Sequence, residues 1–150
     1  MKPQSLDEVT YQRIQDLCAQ GDSHFEKHNY EKALKHYHDA LNIVPKPVEE
    51  WETGTWILVA IGDLHFQTGK YAEAITALKN AIRCPGGLGN PFIHLRLGEA
   101  YFESGDEDLA ADELARAYMG AGRDIFAQEN SKYIKFLSTR IEPPAGQDHI

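Results

Sequence analysis

The feature that most constrains this chain is the stretch Thr55 to Ile82, TWILVAIGDLHFQTGKYAEAITALKNAI. Leu58, Ile61, Gly62, His65 and Phe66 recur at helical spacing before the turn Thr68-Gly69-Lys70, and Ala74, Leu78, Ala81 and Ile82 recur after it. The pattern predicts a helical hairpin. Gly62 on one helix and Ala74 and Ala81 on the other remove the bulk that would hold the backbones apart. Tyr71 stands at the mouth of the turn, where its ring can cover the open end of the pair. Neither helix could bury its apolar stripe alone.

The same pattern occurs twice more. Upstream, Leu17, Gly21, His24, Phe25, Tyr30, Ala33, Leu34, Tyr37, Ala40, Leu41 and Pro45 take the matching places; downstream, His94, Leu97, Gly98, Tyr101, Phe102, Gly105, Ala110, Leu114 and Ala117 do. Gly21, Gly62 and Gly98 are spaced by 41 and 36 residues. Periods of this size mark a stacked helical array. On these residues the chain resembles the tetratricopeptide repeat family, whose unit is a helix-turn-helix of about 34 residues. The third copy departs from the family pattern at Glu107, where an aromatic is expected, and at His94, where a large apolar residue is expected. The resemblance implies an all-α fold: a TPR-like right-handed superhelix of three helical hairpins plus a C-terminal capping helix. The expected organisation is a single domain over 1–142, with repeats at about 14–47, 48–88 and 91–122, a capping helix at about 124–139 and a flexible tail at 143–150.

Composition narrows the partners. With 15 basic and 23 acidic residues the formal net charge is −8. Nucleic-acid binding rests on Lys and Arg neutralising phosphates, so a basic protein surface suits this chain better than a nucleic acid. No run of about 18 apolar residues occurs, so no spanning helix is expected. Met1 to Leu6 lacks the apolar segment of a secretory signal. Cys18 and Cys84 lie in different repeats without CxxC spacing and read as two reduced thiols. The chain therefore reads as cytoplasmic.

Local signals set the expected element boundaries. Ser5 or Asp7 can cap a first helix running toward His28, and its partner should run from Tyr30 to Val44, before Pro45. KPVEEWETG, Lys46 to Gly54, holds most of the extra length of the first period. Pro47, Glu49 and Glu50 suit a first helical turn, so the third helix is expected to start near Val48 and to project Trp51 beyond the stack. CPGGLGNP, Cys84 to Pro91, is a loop. It follows a helix and no Lys succeeds it, which argues against a phosphate cradle. A seventh helix, Asp124 to Ser138, should cap the array.

Catalytic signals are weak: no HExxH, GK[ST] or GxSxG motif occurs. His24 and His28, four apart, form the best metal candidate, but His24 falls where the family packs an aromatic and no third ligand is indicated. No cofactor or metal is expected, and a metal-dependent enzyme is the remote alternative.

The resemblance places the first helix of each hairpin along a concave face. Asp22, Asp63 and Glu99 follow the repeat glycines by one residue, Phe25, Phe66 and Phe102 by four, and Glu26, Gln67 and Glu103 by five. Part of the Phe row is family packing. Three carboxylates in one file would repel one another and gain most from a cationic partner. Trp56, Val59, Phe92, Leu95 and Arg96, with Trp51 outside the stack, would add apolar anchors. Family members that clamp acidic chaperone tails use Lys, Asn and Arg along this face; the corresponding places here hold Cys18, Asp22, Ala60, Phe92 and Arg96, and only Arg96 fits. The run YMGAGRDIFAQENSKYIKFLSTR, Tyr118 to Arg140, also resembles stand-alone repeat proteins found beside bacterial polymorphic toxins. That resemblance implies an immunity protein binding a cognate toxin; the alternative is a generic adaptor, scaffold or co-chaperone-like protein.

Overall fold

A computed structural model describes residues 6–147 and 150. Among the described residues the chain is all-α, with α1 (Glu8–Glu26), α2 (Tyr30–Ile43), α3 (Glu52–Gln67), α4 (Tyr71–Ile82), α5 (Pro91–Glu103), α6 (Glu107–Ala121) and α7 (Ser131–Ser138). The first six pair as three hairpins, α1 with α2, α3 with α4 and α5 with α6, as the sequence implied. The chain divides into two compact units, the first ending at Leu88 and the second starting at Gly89.

Glycine sets the closeness of each pair. A Cβ on Gly21 would lie 2.5 Å from Tyr37 Cε1, one on Gly62 2.7 Å from Leu78 Cγ, and one on Gly98 2.7 Å from Leu114 Cγ. Each glycine is thus a notch filled by the large residue of the second helix. The alanines one turn to either side, Ala33 and Ala40, Ala74 and Ala81, Ala110 and Ala117, are fully buried, which lets the backbones approach over the whole contact.

Side-chain caps begin α1 and α5, the first at one of the two positions the sequence suggested. Asp7 accepts from the Thr10 N–H at 2.8 Å, while Ser5 lies outside the described residues. The Gly-rich loop ends in Asn90, whose Oδ1 accepts from the Phe92 N–H at 3.0 Å, with Pro91 in the first turn of α5.

Two boundaries differ from expectation. Val48–Glu50 is a short 3-10 turn, Trp51 is extended (φ −121°, ψ 131°), and α3 starts only at Glu52. Gly54 lies directly under Val48, and a Cβ there would meet Val48 Cγ1 at 2.7 Å, so the inserted segment folds back onto α3 instead of prolonging it. Trp51 consequently packs beside the core of the first unit and does not project. The seventh helix is also shorter, because Gly122 adopts φ 74° and Arg123–Phe126 forms a separate 3-10 turn before α7. At the tail, Ile150 is buried, and its carbonyl accepts a hydrogen bond from Arg123.

The C-terminal helix explains the departure at Glu107. In the first two hairpins the phenylalanine closes on the aromatic at the turn, Phe25 on Tyr30 and Phe66 on Tyr71, each with ring centroids 5.6 Å apart. In the third, Phe102 packs on Tyr133 and Phe136 of α7, at 5.5 and 5.0 Å. Glu107, freed from that role, pairs with Arg140 at 3.2 Å, and Asp108 does so at 3.0 Å.

Filling the notch should be costly: Gly98→Ala is expected to lower unfolding stability by about 1–3 kcal/mol, the usual range for overpacking, with the helical circular dichroism retained in the absence of denaturant. Urea titration of the variant beside the parent measures it.

Candidate functional site

The expected binding residues fall into two different environments. In the first unit, helical spacing puts Cys18, Asp22, Phe25 and Glu26 of α1 along one face, and Trp56, Asp63, Phe66 and Gln67 of α3 along another. Asp22, Glu26, Trp56 and Gln67 are exposed, and Trp56 retains 45% of its surface. Its ring meets Tyr11 edge-on, centroids 6.2 Å apart, which ties α1 to α3 at this end of the face.

Tyr37 connects the carboxylates. It enters from α2 over Gly21, and its hydroxyl donates to Asp22 Oδ1 at 2.6 Å. Burial, reinforced by the hydrogen bond to Asp22 and by the negative fields of Asp22, Cys18 and Asp63, drives its phenol pKa upward. Asp22 is therefore held by a buried hydroxyl from the neighbouring helix. Asp63 accepts from the Gln67 side chain at 3.3 Å. Cys18 lies beside this group; burial first and Asp22 second push its thiol up to about 11, which keeps it protonated and a poor nucleophile.

In the second unit the matching residues are occupied. Glu99 was expected on an open acidic row, but it is fully buried and Arg96 is only 6% exposed. The Arg96 guanidinium lies over the Phe92 ring, 5.0 Å from its centroid, and pairs with Glu99 at 2.6 Å and Glu129 at 2.5 Å. Burial, and then the hydrogen bond with Glu129, push the Glu99 carboxyl up to about 9 against the pull of Arg96. Glu103 pairs with Lys132 at 2.5 Å and accepts from the Tyr133 hydroxyl at 2.7 Å. Phe102, Glu103, Arg96 and Glu99 thus hold the C-terminal segment. The register alone could not foresee this, since Glu129 and Lys132 lie outside the repeats.

Tyr37 and Tyr11 are the contributors that sequence reasoning left out. Tyr37 carried a usable signal, for the notch-filling place holds Leu78 and Leu114 in the other hairpins and only here a residue with a hydroxyl.

The metal candidate does not assemble. His28 lies beyond the end of α1 with φ 62°, bonded to the Tyr30 hydroxyl at 2.7 Å, while His24 stacks on His36. Among the described residues no three His, Cys, Asp or Glu side chains are placed to hold a metal ion. A further cavity of about 500 Å³ opens between α2, α3 and α4, floored by Leu41, Leu58, Ile61 and Ala77 with His38, His65 and Glu73 among its lining. Among the described residues, no helix is long and apolar enough to cross a membrane.

Comparison with known proteins fits this architecture. Two family models described as tetratricopeptide repeat match residues 16–84 and 59–125. No curated protein matches the sequence. Among solved structures, the Yersinia enterocolitica type III secretion chaperone SycD in complex with a peptide of the translocator YopD is similar at 15% identity and a TM-score of 0.70, over 89% of this chain and 95% of that one. The first tetratricopeptide repeat domain of Spaghetti, bound to the HSP90 peptide SRMEEVD, shares 16% identity over 85% of this chain and 90% of its own, with a TM-score of 0.68. The Sgt2 domain from Aspergillus fumigatus shares 20% over 89% and 87%, with a TM-score of 0.64. At these identities the likeness is one of fold.

The buried Glu99 makes stability depend on pH in a defined direction. Its folded pKa lies above the unfolded value, so its contribution is complete below about pH 4.3 and is lost as pH rises toward 9. Glu99→Gln should therefore gain on the parent with rising pH, reaching about 1–3 kcal/mol at pH 9, the usual cost of a poorly satisfied buried group. Urea denaturation at pH 5, 7 and 9 reads the difference.

Proposed function

We propose, from the premise that this chain is a tetratricopeptide repeat protein, that it is a non-enzymatic adaptor that binds a cationic peptide segment of another protein on the α1–α3 face of its first unit. The observation that carries this reading is the Asp22 carboxylate held by the Tyr37 hydroxyl at 2.6 Å, beside an α3 that exposes Trp56 and carries Asp63 along the same face. An exposed indole supplies apolar contact area, and the flanking carboxylates steer a positively charged segment toward it. Exposed Glu26 and Gln67 extend the polar surface.

The SycD and Spaghetti structures, each holding a peptide, support a peptide-binding role for a chain of this fold. Charge argues for a different ligand from the acidic SRMEEVD peptide. Arg96 is already committed to Glu99 and Glu129, and an acidic tail would meet Asp22 and Asp63 as like charge. The SycD chaperone and the peptide-bound Spaghetti domain favour the adaptor reading over the immunity-protein one, for which they offer no support.

A panel of fluorescent peptides graded by net charge, SRMEEVD included, tests the proposal by anisotropy. Lysine- and arginine-bearing members should bind with an affinity that falls as salt rises, because exposed charges are screened. Trp56→Ala should weaken that binding about 30-fold, equivalent to about 2 kcal/mol. Asp22→Asn with Asp63→Asn should slow association and flatten the salt dependence. Equal binding of SRMEEVD, or indifference to Trp56→Ala, would remove the α1–α3 face from consideration.

A further inference from the structure

The first hairpin contains a pair of bases stacked across the contact of its two helices. His24 stands in α1 three residues after Gly21, where the third hairpin has Tyr101 three after Gly98. Its ring stacks on that of His36 from α2, with centroids 5.0 Å apart and planes at 30°. His24 Nδ1 is buried and meets no hydrogen-bond partner. His36 Nδ1 lies 2.7 Å from the Lys32 carbonyl, an acceptor only, so that nitrogen is the donor.

The titratable groups facing His24 are Lys27 from the end of α1 and Lys32 and His36 from α2, and all of them are bases. From this geometry we infer that the α1–α2 hairpin is an acid-sensitive element, which loosens when His24, stacked on His36, takes up a proton. A cation formed on His24 would sit half-buried against a second imidazole and two lysines. Its release lies in separating α1 from α2, which lets water reach both rings.

The sign follows from where the proton binds. Burial, then His36, Lys32 and Lys27, hold the His24 pKa below its ordinary value in the folded chain. The unfolded state therefore takes protons first, near pH 6.5, and the stability His24 contributes is complete above that value and lost as pH falls through the folded pKa. The matching imidazole of α3 and the buried His94 are placed differently. His65, at the same place in α3, faces Lys70 and His38 but also the carboxylate Glu73. In the second unit, His94 lies 2.5 Å from the Glu113 carboxylate. Lowering the pH also reduces the net negative charge, so self-repulsion cannot account for loosening confined to one hairpin.

Hydrogen exchange of the full chain at pH 7.5 and 5.5, corrected for the intrinsic pH dependence and resolved by peptide, tests the inference without any ligand. The choice of pH 5.5 stays above the carboxylate range. The α1–α2 amides should exchange several-fold faster at pH 5.5 while those of α5–α6 keep or gain protection, as the buried Glu99 favours the lower pH. His24→Tyr, which installs the residue of the third hairpin, should abolish the difference. Loosening shared equally by α5–α6, no change at either pH, or loosening that persists in His24→Tyr would overturn it. Should that variant fail to fold, the NMR titration of His24 in the parent decides, since a midpoint at or above about 6.5 contradicts the inference.

Discussion

Close approach of two helix backbones at a glycine is the contact on which the rest of this structure depends. Tyr37 over Gly21, Leu78 over Gly62 and Leu114 over Gly98 are three versions of one interaction, flanked by alanines of zero exposure. At that spacing an apolar stripe too narrow to stabilise a lone helix becomes a shared core. Any added carbon falls inside contact distance of a side chain that has nowhere to go. The repeat is therefore conserved within the chain in its small residues more than in its large ones.

One substitution in this contact connects packing with chemistry. Where the second and third hairpins insert leucine, the first inserts a tyrosine, and its hydroxyl reaches past the notch to Asp22. The residue that seals the hairpin also fixes a carboxylate on the outer face of α1. Packing and charge are coupled here because a tyrosine in a core must still satisfy its hydroxyl.

Equivalent register places meet unlike fates. Asp22 remains exposed, whereas Glu99 is buried with Arg96 and Glu129. The difference comes from the C-terminal segment, which brings Glu129, Lys132, Tyr133, Phe136 and Arg140 onto the third hairpin. That hairpin lacks an aromatic at its own turn, and Phe102 takes its ring partners from α7 instead. Glu107 looks like a flaw in the repeat until Arg140 is seen beside it.

The sequence by itself determined the all-α class, the three hairpins, the notch glycines and the cap at Asp7, because each follows from spacing within a few turns of helix. Only tertiary structure decided the start of α3, the inward seat of Trp51, the commitment of Arg96 and the burial of Glu99. The physical reason is range. A helical period reports which residues share a face, but whether that face meets water or another segment depends on contacts such as Arg96–Glu129 and Phe102–Phe136, made by residues more than thirty positions apart. Periodicity carries no record of those partners.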